Sequence, residues 1–341
     1  MSRLLLYFSI AFLTAVYLTA WLAPFLSPQS PRRQHREFFY APPMPLQIRD
    51  RGGQWHWPPF VYALERTDPS PRYRESERMI PIRLGVASEP YRWMGMRFET
   101  RLLGLSDPSQ PWFLLGSDEL GRDLWARLLH GARFSLTIGL VAIVLTLVLG
   151  VGLGGLAGYS GGWLDSLLMR VADLFLSIPV FFLILGLRAT VTGELPTSRL
   201  FLLIACIFAL VGWAGVARVV RGQVLSLKDR AYVLAARVSG ASHWRILRRH
   251  ILPFTSSYLA VQASVLVPSF ILGEITLSFL GVGVQAPDAS WGTLLTAATS
   301  LRVMSRFPWL LTPALCIFLT VLAFNLIADE MKAHRVRSQL W

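Results

Sequence analysis

Arg170, Asp173 and Glu274 are ionisable residues set within or at the ends of long apolar runs. Insertion scales charge each such group about 2.5 to 3.5 kcal/mol at a helix centre. Arg170 and Asp173 are three apart, on one helix face, and could pair with each other near a membrane surface. Glu274 closes its run, where it could reach water or line a pathway. A proton-coupled carrier needs more ionisable groups at mid-membrane than these. Enzymatic chemistry has less support still. The chain lacks a G-x-x-x-x-G-K-[ST] loop, an H-E-x-x-H and a G-x-S-x-G, and His35, His56, His130, His243, His250 and His334 show no metal-ligand spacing. No catalytic residue, metal site or cofactor of the chain's own is expected; if ATP is used, a partner hydrolyses it.

Small residues carry a different signal. Gly150, Gly154 and Gly158 recur every fourth residue on one helix face, which lets a second backbone approach closely inside a bilayer. The elements that must hold these residues are membrane spans. Of the 341 residues 53% are hydrophobic and 16% charged, against about 25% charged in an average soluble domain. Uncharged or nearly uncharged runs occur at Leu4–Leu26, Phe134–Tyr159, Val171–Leu187, Leu200–Ala217, Ile251–Gly273 and Phe307–Ala328, and each reads as a transmembrane helix. Leu4–Leu26 is longer than a signal-peptide core and no A-x-A site follows it, so it is read as a retained first span. Cys206 and Cys316 lie inside apolar runs, which suits neither a disulfide framework nor a zinc site.

Net charge is +13, and 31 of the 33 basic residues are Arg. A nucleic-acid binder can look like this, but the distribution argues against nucleic acid. Residues 218–250 hold eight basic residues against the single acid Asp229, a net +7 beside apolar spans. That marks a cytoplasmic loop and, with six spans, puts both termini in the cytoplasm. Residues 27–133 then lie outside. This segment holds 13 of the 21 prolines together with Trp55, Trp57, Tyr62, Tyr91 and Trp93. It reads as a small irregular external subdomain with short strands such as Met79–Ala87. It ends in an apolar period at Leu120, Leu124, Trp125, Leu128 and Leu129 with Arg122, Asp123, Arg127 and His130 between them, the pattern of an interfacial helix. The divisions are therefore 1–26, 27–133 and 134–341, with a cytoplasmic loop at 218–253.

That loop is the richest stretch. Ser226 and Asp229 form a weak capping pair for a helix over Ala231–Val238, Gly240 permits a sharp turn, and a second helix from Ser242 to about His250 ends before Pro253. The result is a compact two-helix knob, with Tyr232, Val233, Ala235, Ala236, Trp244, Ile246 and Leu247 as apolar contacts. Its arginines alone would equally suit anionic lipid.

The stretch Tyr232-Val-Leu-Ala-Ala-Arg-Val-Ser-Gly240, followed ten residues on by Ile251-Leu252-Pro253, resembles the E-A-A loop of ATP-binding-cassette importer permeases. Leu115-Gly-Ser-Asp-Glu-Leu-Gly-Arg-Asp123, Gly131-Ala-Arg-Phe-Ser-Leu136, Met169-Arg-Val-Ala-Asp173, Leu277-Ser-Phe-Leu-Gly281 and Ser290-Trp-Gly292 are similar to the dipeptide, oligopeptide and nickel subgroup, second (C-type) permease subunit. The likeness covers about residues 113–330. Leu234 stands where the loop usually has Glu, Phe254 where Asn commonly follows Leu-Pro, and His250 where the general pattern has Ile. The long 27–133 segment is similar to that of permeases for microcin-type peptides.

The resemblance implies an all-α integral membrane protein with six spans and a large external loop, in a bacterial inner membrane. It implies half of a heterodimeric channel with a second permease subunit, two ATPase subunits that hold ATP and Mg, an external solute-binding protein, and lipid around the spans. Tyr232, Leu234, Ala235, Ala236, Gly240, Trp244, Leu252 and Pro253 would form the ATPase-coupling loop. The implied cargo is a peptide, with nickel or another small solute as the alternative. A secondary transporter and a membrane-anchored receptor or assembly protein are the rival classes.

Overall fold

The computed structural model describes residues 3–67, 72–179, 182, 183, 186 and 196–339. Five helices among them are long and apolar enough to cross a membrane: Leu4–Trp21, Leu124–Ser160, Thr197–Leu227, His243–Phe279 and Pro308–Ala333. The span read at 171–187 begins inside a 16-residue helix, Gly162–Ser177, and much of its remainder lies outside the described residues. The chain forms two compact units, one of residues 1–10, 137–274 and 321–341, the other of 11–136 and 275–320.

In chain order the helices used below are α1 (Arg3–Trp21), α2 (Ala23–Leu26), α3 (Leu124–Ser160), α4 (Gly162–Ser177), α5 (Thr197–Leu227), α6 (Ala231–Val238), α7 (His243–Ile246) and α8 (Ser256–Phe279). Several helices outrun the apolar stretches that announced them. α5, for example, continues ten residues past Ala217, because Arg218 and Arg221 find acidic partners instead of ending the helix.

Four strands form one antiparallel meander in the order β1-β2-β3-β4: β1 (Gln47–Arg49), β2 (Trp55–Thr67), β3 (Arg72–Trp93) and β4 (Met96–Leu105). The strands are not short, since Met79–Ala87 is only the middle of the 22-residue β3. Prolines do not stop them: Pro58 and Pro59 precede the first paired residue of β2 against β3, and Pro81 takes part in the pairing opposite Phe60. Val61, Ile80, Ile82, Leu105 and Phe113 are buried in one cluster on one face of this sheet.

The 120–129 segment is not a separate surface helix. Leu120 sits in a turn, and α3 runs without a break from Leu124 through position 133 to Ser160. Arg122, Asp123 and Arg127 are buried, so the polar residues of that apparent amphipathic period face protein rather than water. Periodicity could not show that Asp118 pairs with both arginines.

Candidate functional site

The knob is built by local rules. α6 ends in a Schellman turn: the N–H of Gly240 donates to the carbonyl of Arg237 at 3.1 Å and that of Ala241 to Ala236 at 3.1 Å. Gly240 has φ +79° with open space around it, so backbone conformation alone asks for glycine there. The Ser226–Asp229 cap does not form; Arg230 is the N-cap without a side-chain bond, and Ser226 Oγ donates to Gln223 O at 2.8 Å. Ser242 caps α7 instead, its Oγ accepting from Arg245 N–H at 3.4 Å. The second helix does not end before Pro253. It passes through a π turn, Leu247–Ile251, and a 3-10 turn, Leu252–Thr255, into α8. Pro253 has no N–H and its ring crowds the carbonyl four residues back, which disrupts the regular ladder at that point.

Val233, Ile246, Leu247 and Ile251 are buried against Val216, Val220 and Val224 of α5. Tyr159 OH at the end of α3 lies 2.8 Å from His243 Nδ1. On the outer side Leu234 is 43% and Trp244 62% exposed, and Tyr232, Ala235, Val238 and Pro253 are exposed as well. Ala236 and Leu252 are half-buried. The Tyr232 and Phe254 rings lie 5.6 Å apart. Arg230, Arg237, Arg245, Arg248 and Arg249 are exposed around this surface. The knob thus offers a rigid apolar face rimmed by positive charge, a surface fit for a protein groove.

The glycine face of α3 meets α5. A Cβ at Gly154 would lie 2.4 Å from Ala217 O, one at Gly150 2.6 Å from Val216 Cβ, and one at Gly158 2.7 Å from Arg221 O. Arg170 and Asp173 do not pair with each other: Asp173 accepts from Arg218 of α5, and Arg170 is exposed. The stronger cross-helix pair is one that sequence spacing missed. Asp165 of α4 takes two bonds from Arg221, at 2.5 and 2.6 Å. The two residues are 56 positions apart, and only the Gly-rich turn at Gly161–Gly162 ahead of Asp165 hinted at a built contact. Glu274 does not reach water; it is fully buried within α8.

A second polar cluster lies at residues 116–127. Asp118 Oδ2 accepts from Arg122 Nε at 2.7 Å and lies 3.5 Å from Arg127 Nε, with all three side chains buried. Asp118 Oδ1 also accepts from the N–H groups of Leu120 and Arg122. Arg127 Nη1 reaches the carbonyls of Pro31 and Pro287 at 3.4 Å. Asp123 caps α3, accepting from the N–H groups of Trp125 and Ala126 at 3.2 Å. Burial nevertheless pushes its carboxyl up to about 7, against the opposing pull of those bonds and of Gln29. At Ser290-Trp-Gly292, the Trp291 indole donates to Leu128 O at 3.1 Å, and a Cβ on Gly292 would fall 2.3 Å from Ile275 O.

Long apolar helices locked by a glycine face and cross-helix ion pairs, carrying an exposed rigid knob, define a polytopic membrane protein. The family model for the binding-protein-dependent transport system inner membrane component matches residues 150–338, and the chain belongs to that family, the transmembrane permeases of ATP-binding-cassette transporters. It is 40% identical to the dipeptide transport system permease protein of Bacillus subtilis (strain 168), over 65% of this chain and 67% of that protein. It is 39% identical to the oligopeptide permease of the same organism, over 68% and 74%. Identity to the nickel transport system permease protein of Escherichia coli (strain K12) is 38%, over 72% and 84%.

Proposed function

We propose that this permease is one half of a heterodimeric peptide-import channel, with the knob at 230–255 seated in a groove of a partner ATPase. ATP and Mg sit on two such partners, and an external solute-binding protein delivers cargo. Closure of the ATPases moves the knob, and with it α5 and α8, between inward-open and outward-open states. The carrying observation is the knob's construction: Tyr232, Leu234 and Trp244 are exposed while Val233 and Ile246 behind them are buried. Such a surface transmits force because its base cannot shift without opening a packed core. Orientation follows the charge pattern, with the knob and both termini cytoplasmic and the sheet external. Uptake of a labelled dipeptide by the reconstituted complex, with ATP and with a non-hydrolysable analogue, tests the function; uptake that ignores hydrolysis defeats it. With Cys206 and Cys316 replaced, Thr100→Cys should react with an impermeant thiol reagent in intact cells and Ser239→Cys should not. The 38% identity to a nickel permease supports a second cargo reading, nickel, which the same assay separates by exchanging the label.

A further inference from the structure

The hairpin joining β3 to β4 is tied to the end of a membrane span. Trp93 lies edge-on to Trp21, the last residue of α1, with ring centroids 4.9 Å apart, and its indole N–H donates to Trp21 O at 3.1 Å. Farther up β4, Arg101 Nη1 donates to Ser27 O at 2.8 Å, Ser27 Oγ at 2.6 Å and Gln29 O at 3.0 Å. As the chain leaves α1 from Trp21 to Gln29, its partner on the hairpin therefore moves away from the tip. The hairpin points its tip back toward the level at which α1 leaves the bilayer.

The tip is unlike an ordinary solvent turn. Met94 has φ +52° and Gly95 φ +82°, the left-handed pair of a two-residue hairpin turn, for which Asn-Gly or Asp-Gly is the usual choice in water. Here the first position is Met. Met94 is 63% exposed and Met96 58%. Trp93, Tyr91 and Phe98 cluster beside them, with Tyr91 stacked on Phe98 at 5.9 Å and Trp93 5.7 Å from Phe98. Arg92 and Arg97 are directly opposite in the ladder and both exposed. Arg97 also meets Glu99 at 3.1 Å, with both side chains exposed; like charges placed opposite each other weaken a strand pair, and a phosphate bound across Arg92 and Arg97 offsets that further. Trp at a span end, apolar side chains at the tip and a pair of arginines one step back match, in order, the interface, acyl boundary and phosphate layer of a bilayer surface.

We propose that the tip Arg92–Arg97 is a membrane-surface anchor: Met94 and Met96 enter the acyl boundary of the leaflet on the sheet's side, and Arg92 and Arg97 hold phospholipid phosphates. The anchor fixes the sheet against the bilayer surface, whichever cargo passes.

The test uses the full permease complex in nanodiscs of phosphatidylethanolamine and phosphatidylglycerol, with Cys206 and Cys316 replaced and a fluorophore on Met94→Cys or Met96→Cys. Ser109→Cys, beyond the far end of β4 and about 30 Å along the strand from the tip at roughly 3.4 Å per residue, is the aqueous control. Nitroxide lipid should quench the tip labels and leave the control bright; iodide should do the reverse. Arg92→Glu with Arg97→Glu should lose the lipid quenching of the Met94→Cys label. The proposal is overturned by iodide quenching of the tip labels equal to the control, by full lipid quenching retained in the double Glu variant, or by shielding that appears only when a binding protein is added.

Discussion

In the knob, Tyr232, Leu234, Trp244 and Phe254 face out while aliphatic neighbours such as Val233 and Ile246 are buried; in the 116–127 loop, Asp118, Arg122, Asp123 and Arg127 face in. Both stretches are dense in motif residues. The first spends them on a surface, held by one Schellman turn and a valine-lined base. The second spends them on a closed network that joins the start of α3 to the carbonyls of Pro31 and Pro287. Motif density alone therefore does not locate a working surface. What separates the regions is where their motif side chains lie: buried polar groups in the loop hold the fold, and the knob's exposed face is the surface proposed above for a partner.

The largest effect should come from breaking the buried network. Asp118→Ala takes from buried Arg122 and Arg127 the carboxylate they meet and removes the acceptor of two backbone N–H groups, a loss of about 3 to 5 kcal/mol by the usual cost of breaking a buried pair. Thermal unfolding of the purified complex should show it. Trp244→Ala, on the knob's exposed face, should leave stability within about 0.5 kcal/mol. Equal destabilisation by the two would erase the distinction between the regions.

The same cluster should respond to pH. The folded carboxyl of Asp123 is pushed up to about 7 by burial, whereas an unfolded Asp releases its proton near pH 4. As pH rises between those values the unfolded chain binds fewer protons than the native one, so stability from this group is present at the acid end and lost toward neutrality. Asp123→Asn keeps the capping acceptor and removes the titration. The stability difference between variant and parent should widen in the variant's favour from pH 4 to 7. A constant difference would mean that Asp123 is ionised throughout.

Two positive-φ glycines sharpen the contrast further. A Cβ on Gly240 meets nothing within 4 Å, while one on Gly121 would fall 1.9 Å from His35 O. Gly240→Ala should cost only the left-handed strain, about 1 to 2 kcal/mol. Gly121→Ala should cost that and a backbone displacement as well, so its melting temperature should fall further. If Gly240→Ala is the worse of the two, the knob is not the free-standing turn described above.

Much of this was legible in the sequence, for unequal reasons. Runs without charge mark the spans because a bilayer penalises charge directly, and Ala231–Val238 has the helix bounds read from its turn residues. The buried network was misread because an ion pair leaves no period. Asp118 pairs with Arg122 and Arg127, and a pattern of Leu and Arg then looks like a surface helix when both faces are covered. Asp173 likewise has two arginines within reach, Arg170 in sequence and Arg218 in space, and spacing shows only the first. The long strands were missed because proline was counted as a breaker, whereas Pro58 and Pro59 lie outside the part of β2 that pairs with β3.

The smallest effect expected concerns Leu234, which stands where the family's loop usually has Glu. Docking can bury only what is still open, and Leu234 is 43% exposed. That share of the about 1.5 to 3 kcal/mol for burying a whole leucine side chain is about 1 kcal/mol, or about fivefold in affinity. Leu234→Ala should therefore weaken ATPase association by about that factor, and Leu234→Met should be nearly neutral. Leu234→Asp should exceed tenfold, because a carboxylate must also be desolvated. Titration of the labelled ATPase against permease in nanodiscs reads all three, and an unchanged melting temperature separates weakened docking from a damaged knob. Equal affinity for Leu234→Asp and the parent would show that α6 turns Leu234 to solvent in the complex and that the partner's contact lies on Trp244 and Phe254.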